Sequence, residues 1–466
     1  MFSYKYRYLG LLFIIMALVT FESPNAVLAE ICLADVNNDG VVDGQDLQTM
    51  ADEFGTPDCT IGESPILWEA KLTAFMEADP PPSEPLRIVD RDGSLLMAVE
   101  TIGRGRLVDQ PAQDPEFTNI RDEPNEEMDP PERDLSDIRF GNQSLRVLNS
   151  GTGYEFRLIL AGKFSQDIYD THAKEGLDSA RTTDDEPVDR DPTASDEPSA
   201  EGWSNDIDSR GIRTPTTAWP WRTISNFGGC TGTLIGPRHV ITAAHCINKK
   251  GTNQWYTFTV TPGMNGVGTA PYGSSTISAS PKPGDPFRWY FTPEPWRDCS
   301  AGENCGQWDW GMIIIPDRLG DKTGWMGYVA RPASQLNTVA HWNRGYPICP
   351  AACGASNIDN SPTGCQTARL YGQPFSGSLG SYFNTGPDGW NRNISTNCDM
   401  SQGHSGSALY HYFFDSKLNK TVPVVAMVAI QETCCICSAN TNFPNINRRI
   451  TPGDLGIISF FRQWKP

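Results

Sequence analysis

The chain is short of cations: 37 Lys+Arg against 56 Asp+Glu leave a formal net charge of −19 over 466 residues. Such an excess of acid repels a phosphate backbone, so a nucleic-acid partner is excluded for the chain as a whole. Long apolar runs are also scarce. Beyond residues 9–20 no stretch is long and apolar enough for a membrane helix, and no membrane span is expected. Helix-period patterning is missing from most of the second half, which excludes a helical bundle there. The 13 cysteines do not form two CxxC knuckles, which counts against structural zinc at Cys349, Cys353, Cys365 and the Cys434-Cys435-Ile436-Cys437 cluster.

The chain is too long for one ordinary core, so two or more regions are expected. Its charge is divided unevenly. Residues 1–210 hold 17 Lys+Arg and 43 Asp+Glu, and residues 211–466 hold 20 and 13, so the parts carry −26 and +7. The acidic part is rich in proline, as in Asp129-Pro130-Pro131-Glu132 and Asp184-Asp185-Glu186-Pro187. Segments of this composition bury too little to offset chain entropy, and residues 61–203 read as a low-order propeptide or linker. Two readings of this leader stand side by side, a pro-segment lying against the basic domain and a solvated spacer.

Lys5 and Arg7 precede the apolar run, and Val27-Leu28-Ala29 supplies modest residues before a cut. Residues 1–29 therefore read as a secretory signal peptide, and the mature protein as secreted. In an exported chain, cysteines point to disulfides, and the odd number leaves at least one unpaired or bridged between chains.

Residues 30–60 contain Asp35-Val36-Asn37-Asn38-Asp39-Gly40-Val41-Val42-Asp43-Gly44-Gln45-Asp46. Oxygen side chains fall at Asp35, Asn37, Asp39, Asp43 and Asp46, the carbonyl of Val41 takes the seventh position, and Gly40 allows the sharp turn of a calcium loop. Leu47, Met50, Ala51 and Phe54 then follow with helical spacing. The competing view is an acidic turn that binds nothing. The stretch resembles one repeat of a dockerin, which implies bound calcium and a cohesin-like or cell-surface partner. A second complete repeat is missing; Asp90-Arg91-Asp92-Gly93 has only the centre of one. Cys32 and Cys59 flank the unit and are expected to close it with a disulfide.

From residue 211 onward, short β-type runs at 231–234, 240–244, 255–260, 312–315, 408–413 and 422–430 alternate with turn residues, and residues 455–464 read as a terminal helix. This pattern is all-β. Three pieces within it carry chemistry. Val240-Ile241-Thr242-Ala243-Ala244-His245-Cys246 follows Cys230, Asp309 opens the apolar run Trp310-Gly311-Met312-Ile313-Ile314-Ile315, and Gly403-His404-Ser405-Gly406-Ser407 comes last. A serine hydroxyl is a weak nucleophile that needs a histidine to take its proton, a carboxylate to orient that histidine, and N–H donors for the oxyanion. Asp298 and Asp317 are competing acids that do not begin an apolar strand. An α/β-hydrolase needs Gly-x-Ser-x-Gly and the order Ser, Asp, His; Ser407 and the order found here exclude it.

These motifs, with Thr216-Thr217-Ala218-Trp219-Pro220-Trp221-Arg222 and Pro262-Gly263-Met264-Asn265-Gly266, resemble the chymotrypsin-fold serine proteases of the bacterial glutamyl-endopeptidase-like branch. The resemblance covers residues 203–466 and sets the expected protease domain at 204–466. It implies two six-stranded β-barrels, catalysis by His245, Asp309 and Ser405 with no catalytic cofactor, an oxyanion hole from the amides of Gly403 and Ser405, and a Cys230–Cys246 disulfide. His404 stands where animal trypsin-like zymogens carry an aspartate, which argues against activation through that ion pair. Asp399 lies where trypsins place the acid of the primary pocket, implying cleavage after basic residues of a protein or peptide substrate. Gln431 stands where glutamyl-specific relatives place a histidine. Glutamyl specificity, a catalytically silent binding module on a protease fold, and a calcium-dependent anchoring protein are the alternatives.

Overall fold

The computed structural model describes residues 65–90, 92–110, 141–175, 211–277, 288–300, 303, 305–348, 368–375, 382–386, 389–396, 400, 402–415, 419–431 and 445–465. The stretches expected to be a signal peptide and a calcium loop, with Cys32, Cys59 and Asp399, lie outside them. The chain divides into two compact units. One is Met1–Thr73 with Val89–Ser94, the other Ala74–Ile88 with Leu95–Pro466. In the first, the Asp90 carboxylate accepts from the amides of Asp92 and Ser94 at 3.0 and 2.8 Å, a local turn.

The acidic leader supplies helix α1 (Pro65–Glu77), strands β1 (Leu86–Val89), β2 (Leu95–Arg104), β3 (Arg106–Asp109), β4 (Gln143–Asn149) and β5 (Tyr154–Leu160), and helix α2 (Gly162–Glu175). Then come β6 (Gly211–Ile212), β7 (Ile224–Asn226), β8 (Thr231–Leu234), β9 (His239–Thr242), β10 (Gln254–Thr257), β11 (Thr259–Pro262), β12 (Ser275–Thr276), β13 (Trp289–Pro293) and β14 (Gly311–Ile314). The last part holds β15 (Gly327–Tyr328), β16 (His341–Gly345), β17 (Tyr371–Phe375), β18 (Tyr382–Thr385), β19 (Asn391–Thr396), β20 (Ala408–Asp415), β21 (Lys420–Gln431), β22 (Asn445–Arg449) and helix α3 (Pro452–Trp464).

Among the described residues the main sheets have 11 and 9 strands. The first runs β1-β2-β5-β4-β13-β14-β9-β8-β7-β11-β12; the second runs β18-β19-β22-β21-β20-β16-β17-β6, with β15 beside β21. Neither closes into the expected six-stranded barrel. The first is extended instead of closed, because β13 pairs with β14 on one side and with leader strand β4 on the other.

Within the leader that was expected to have low order, the described residues 143–149 and 154–160 form strands of this sheet. The leader's proline- and acid-rich average conceals two segments, Ser-Leu-Arg-Val-Leu-Asn in β4 and Tyr-Glu-Phe-Arg-Leu-Ile-Leu in β5, with enough apolar side chains to fill a sheet face. Val147, Leu148, Phe156, Leu158 and Leu160 are fully buried, which removes apolar surface from water and offsets their ordering. The second sheet has its own core, where Leu336, Ile394, Leu409, Val424 and Met427 pack together. Helix α3 starts with a capping box: Thr451 accepts from the Asp454 amide while the Asp454 carboxylate accepts from the Thr451 amide.

Candidate active site

The histidine loop begins where β9 ends. Residues Ala244–Cys246 form a single 3-10 turn, with the Ile247 and Asn248 amides donating to the Ala244 carbonyl at 3.0 and 2.8 Å. Cys246 is bonded to Cys230, the residue before β8, so the turn is tied covalently to the neighbouring hairpin strand. Asp309 follows the 3-10 turn Gly306–Trp308 and precedes β14, which pairs with β9. This pairing carries the carboxylate to the histidine. Oδ1 accepts from the His245 amide at 2.9 Å, and Oδ2 lies 2.7 Å from His245 Nδ1. Nδ1 faces a carboxylate and so carries the proton, which leaves Nε2 as the basic nitrogen of the neutral ring. Asp309 has no solvent exposure; an acid so buried is tolerable only when hydrogen-bonded, as this one is. The competing acids sit elsewhere, Asp298 paired with Arg146 at 3.1 Å and Asp317 on the surface.

Ser405 sits in the turn before β20, 6% exposed, with His245 at 9%. Its position relative to the histidine loop is set by Thr231, the first residue of β8. The Thr231 amide donates to the Ser405 carbonyl at 2.8 Å, and its hydroxyl donates to the Gly403 carbonyl at 2.8 Å. Its own carbonyl accepts from the Thr242 hydroxyl at 2.8 Å, three residues before His245. The Ser405 carbonyl also lies 3.6 Å from Cys246 Sγ. Two glycines make this approach feasible. Gly403 has φ +96°, and a Cβ there would lie 2.4 Å from the Ile348 nitrogen; Gly406 has φ +82°, and a Cβ would lie 2.1 Å from Thr242 Oγ1 and 2.2 Å from the Thr231 carbonyl.

His404 hydrogen-bonds toward β16. Its ring is fully buried, with Nδ1 2.9 Å from Asn343 Oδ1, and Asn343 Nδ2 donates to Ser407 Oγ at 2.8 Å. It braces β16 against the serine turn. Gln431 ends β21.

The sequence did not flag three features. Thr231 and Asn343 link segments up to 172 residues apart, and no local pattern marks such partners. A second disulfide, Cys299–Cys305, precedes Asp309, and its sulfurs pack with Trp296 and Trp308 against Ala244, the neighbour of His245. The short spacing of the two cysteines was the available signal. Among the described residues, two clusters have metal-ligand side chains, Cys230/His245/Cys246 and Cys299/Glu303/Cys305. Their sulfurs are all engaged in disulfides, so neither fits a metal.

Residues 209–269 match the protein family described as Trypsin. The matched stretch contains His245, Cys230 and Cys246 and stops before Asp309 and Ser405. The chain is 37% identical over 145 residues to a protein named Glutamyl endopeptidase from Bacillus licheniformis, an alignment covering 30% of this chain and 40% of the relative. It is 28% identical over 165 residues to a protein named Extracellular metalloprotease from Bacillus subtilis strain 168, covering 33% of this chain and 48% of the relative. The chain thus spans less than half the length of either curated relative. Solved structures that match include a Glu endopeptidase in complex with MPD, at 20% identity, TM-score 0.37, covering 55% of this chain and 97% of that one. Another is the protease Anisep from Arthrobacter nicotinovorans, at 19% identity, TM-score 0.32, covering 52% of this chain and 92% of that one. Residues 209–269 are thus similar to the Trypsin family, and the described residues from Gly211 onward are mostly β with few helices.

Proposed function

We propose that this chain is a secreted serine endopeptidase that cleaves peptide bonds through an acyl-enzyme. The observation that carries the reading is the grip of buried Asp309 on both the amide and Nδ1 of His245. Nε2 of His245 takes the Ser405 hydroxyl proton as Oγ attacks the peptide carbonyl carbon. The same proton passes to the leaving amine as the C–N bond breaks, and water, activated in the same way, releases the acid product. Asp309 fixes the tautomer and stabilises the imidazolium. The amides of Gly403 and Ser405 serve as the oxyanion hole, where one donor contributes about 3 kcal/mol. A serine-directed fluorophosphonate should label the purified protein at Ser405 and leave Ser405→Ala unlabelled. An unlabelled parent that also fails to turn over peptide would place the chain with protease-fold binding modules instead.

For specificity the preferred reading is cleavage after Arg or Lys, recognised by Asp399 through charge-assisted hydrogen bonds. A second reading, cleavage after Glu, is favoured by the 37% identity to the protein named Glutamyl endopeptidase. Gln431 instead of a histidine on the late strand is what counts against it. Paired peptides differing only at the residue before the scissile bond decide the matter, and faster cleavage after Glu refutes the preference for basic residues.

The donor set of Asp35, Asn37, Asp39, Val41, Asp43 and Asp46 is all oxygen, suited to calcium. The unit flanked by Cys32 and Cys59 is proposed to be closed by a disulfide between them, to bind calcium and to serve attachment to a cohesin-like or cell-surface partner.

A further inference from the structure

The leader strands do not lie beside the protease region as a detachable cover. They are part of the same sheet as the strands that carry His245 and Asp309. β4 pairs with β13 over five positions, from Leu145 opposite Pro293 to Asn149 opposite Trp289. Without β4, β13 would become the edge of that sheet, presenting unpaired backbone groups beside the buried side chains of Trp289, Tyr290 and Phe291. β3 adds a second attachment, pairing in parallel with β10 from Arg106 opposite Gln254 to Asp109 opposite Thr257. Helix α2 adds a third, setting Phe164 edge-on to Phe460 of α3 at 6.0 Å.

The ion pairs across this junction are individual, and partly opposite in sign to the bulk charges. Glu294, on the protease side, pairs with leader residue Arg146 at 3.0 Å and also receives Ser144 and Arg157. Arg297 pairs with leader residue Glu155 at 3.2 Å; Glu155 is 2% and Arg297 17% exposed at the side chain. A generally acidic segment resting on a basic face would not need leader arginines facing a protease-side glutamate. The leader also reaches the site itself: the Gln110 side chain donates to the Cys246 carbonyl and accepts from the Gly229 amide, each at 3.4 Å.

We propose that the strands and helix described within residues 95–110 and 141–175 form a permanent part of the protease region, which stays bound as a second, non-covalent chain after the connection between residues 175 and 211 is cut. Neither a released pro-segment nor a solvated spacer describes it. The proposal rests on sheet pairing and not on the serine-protease reading, and its test needs no activity.

The experiment places a recognition sequence for an unrelated sequence-specific protease between residues 190 and 191 of the full chain, in the Ser405→Ala background to prevent self-digestion. After complete cutting, size-exclusion chromatography and native mass spectrometry are run in 0.15 M and 1 M NaCl. The two polypeptides are expected to elute together at the uncut volume in both salts, with at least nine-tenths of the leader fragment retained, and to separate only in denaturant. Separate elution in native buffer, or precipitation of one piece without the other, overturns the proposal. Phe156→Asp, which puts a charge into the leader's buried face, is expected to lower the retained fraction at least tenfold. Undiminished retention in a folded Phe156→Asp protein would overturn the pairing as the cause.

Discussion

The two sides of the candidate site are held by different means. Around His245 and Asp309 the constraint is covalent: Cys230–Cys246 ties the histidine turn to β8, and Cys299–Cys305 packs its sulfurs behind Ala244. Around Ser405 the described residues are held by close backbone approach and hydrogen bonds, with Gly403 and Gly406 in conformations that other residues rarely adopt and Thr231 joining the two halves. A disulfide closing a 16-residue separation contributes about 3 kcal/mol, whereas each net hydrogen bond contributes only about 1 kcal/mol. The fold of the histidine turn therefore depends less on any single polar contact, whatever that contact does for chemistry. On the serine side the same precision depends on a few glycines and one threonine, so small changes there should cost more than their size suggests.

The largest effect is expected where chemistry and clamp coincide. Asp309→Asn keeps the shape of the side chain but can turn its amide toward Nδ1 and favour the wrong tautomer of His245. A fall in kcat on the order of 10⁴-fold is expected, with KM little changed. Steady-state kinetics on a peptide, with the thermal midpoint recorded in parallel, checks it. A loss under tenfold in a folded protein would show that Asp309 only supports the loop.

Gly406→Ala tests the serine side. The new methyl would sit 2.1 Å from Thr242 Oγ1 and 2.2 Å from the Thr231 carbonyl, at φ +82°. Overpacking and the left-handed backbone together should cost about 3 to 5 kcal/mol. Urea denaturation measures this directly. A variant within 1 kcal/mol of the parent would mean that the serine turn has room to move, and the contrast between the two sides would fail.

What the sequence made legible follows the same division. β8, β20 and α3 fall close to where local pattern put them, because alternation and capping are local signals. The run at 255–260 breaks at Phe258 into β10 and β11, since β10 pairs with leader strand β3 and β11 with β7. No local rule shows which partner a strand will take. His245, Asp309 and Ser405 were found as motifs because each sits beside recognisable neighbours, whereas Thr231 and Asn343 act through partners far along the chain. The order in the leader was hidden by averaging: the proline-rich acidic stretches dominate the composition, and β4 and β5 are only seven residues each.

Acid should act more on the serine side than on the histidine side. Two buried histidines face each other there, His341 on β16 and His411 on β20, with ring centroids 5.5 Å apart. His341 Nε2 donates to the Leu336 carbonyl at 3.0 Å, while neither ring nitrogen of His411 has a hydrogen-bond partner among the described residues. Burial lowers His341 to about 4, and burial, reinforced by His341 and Arg331, lowers His411 to about 2. The first sheet has His239, lowered by burial and then by Arg462. A depressed histidine is neutral in the fold but takes a proton in the unfolded chain below about pH 6.5. Its contribution is therefore complete above that pH and lost as pH falls, by about 1.4 kcal/mol per pH unit for each group, until the folded pKa is reached. His411→Leu should remove one such group and flatten the decline in unfolding free energy between pH 6 and pH 4, while pH 7.5 stability shifts by only about 1 kcal/mol. Equal slopes for parent and variant would mean that His411 meets water in the fold, and that the serine side is no more acid-sensitive than the side with the two disulfides.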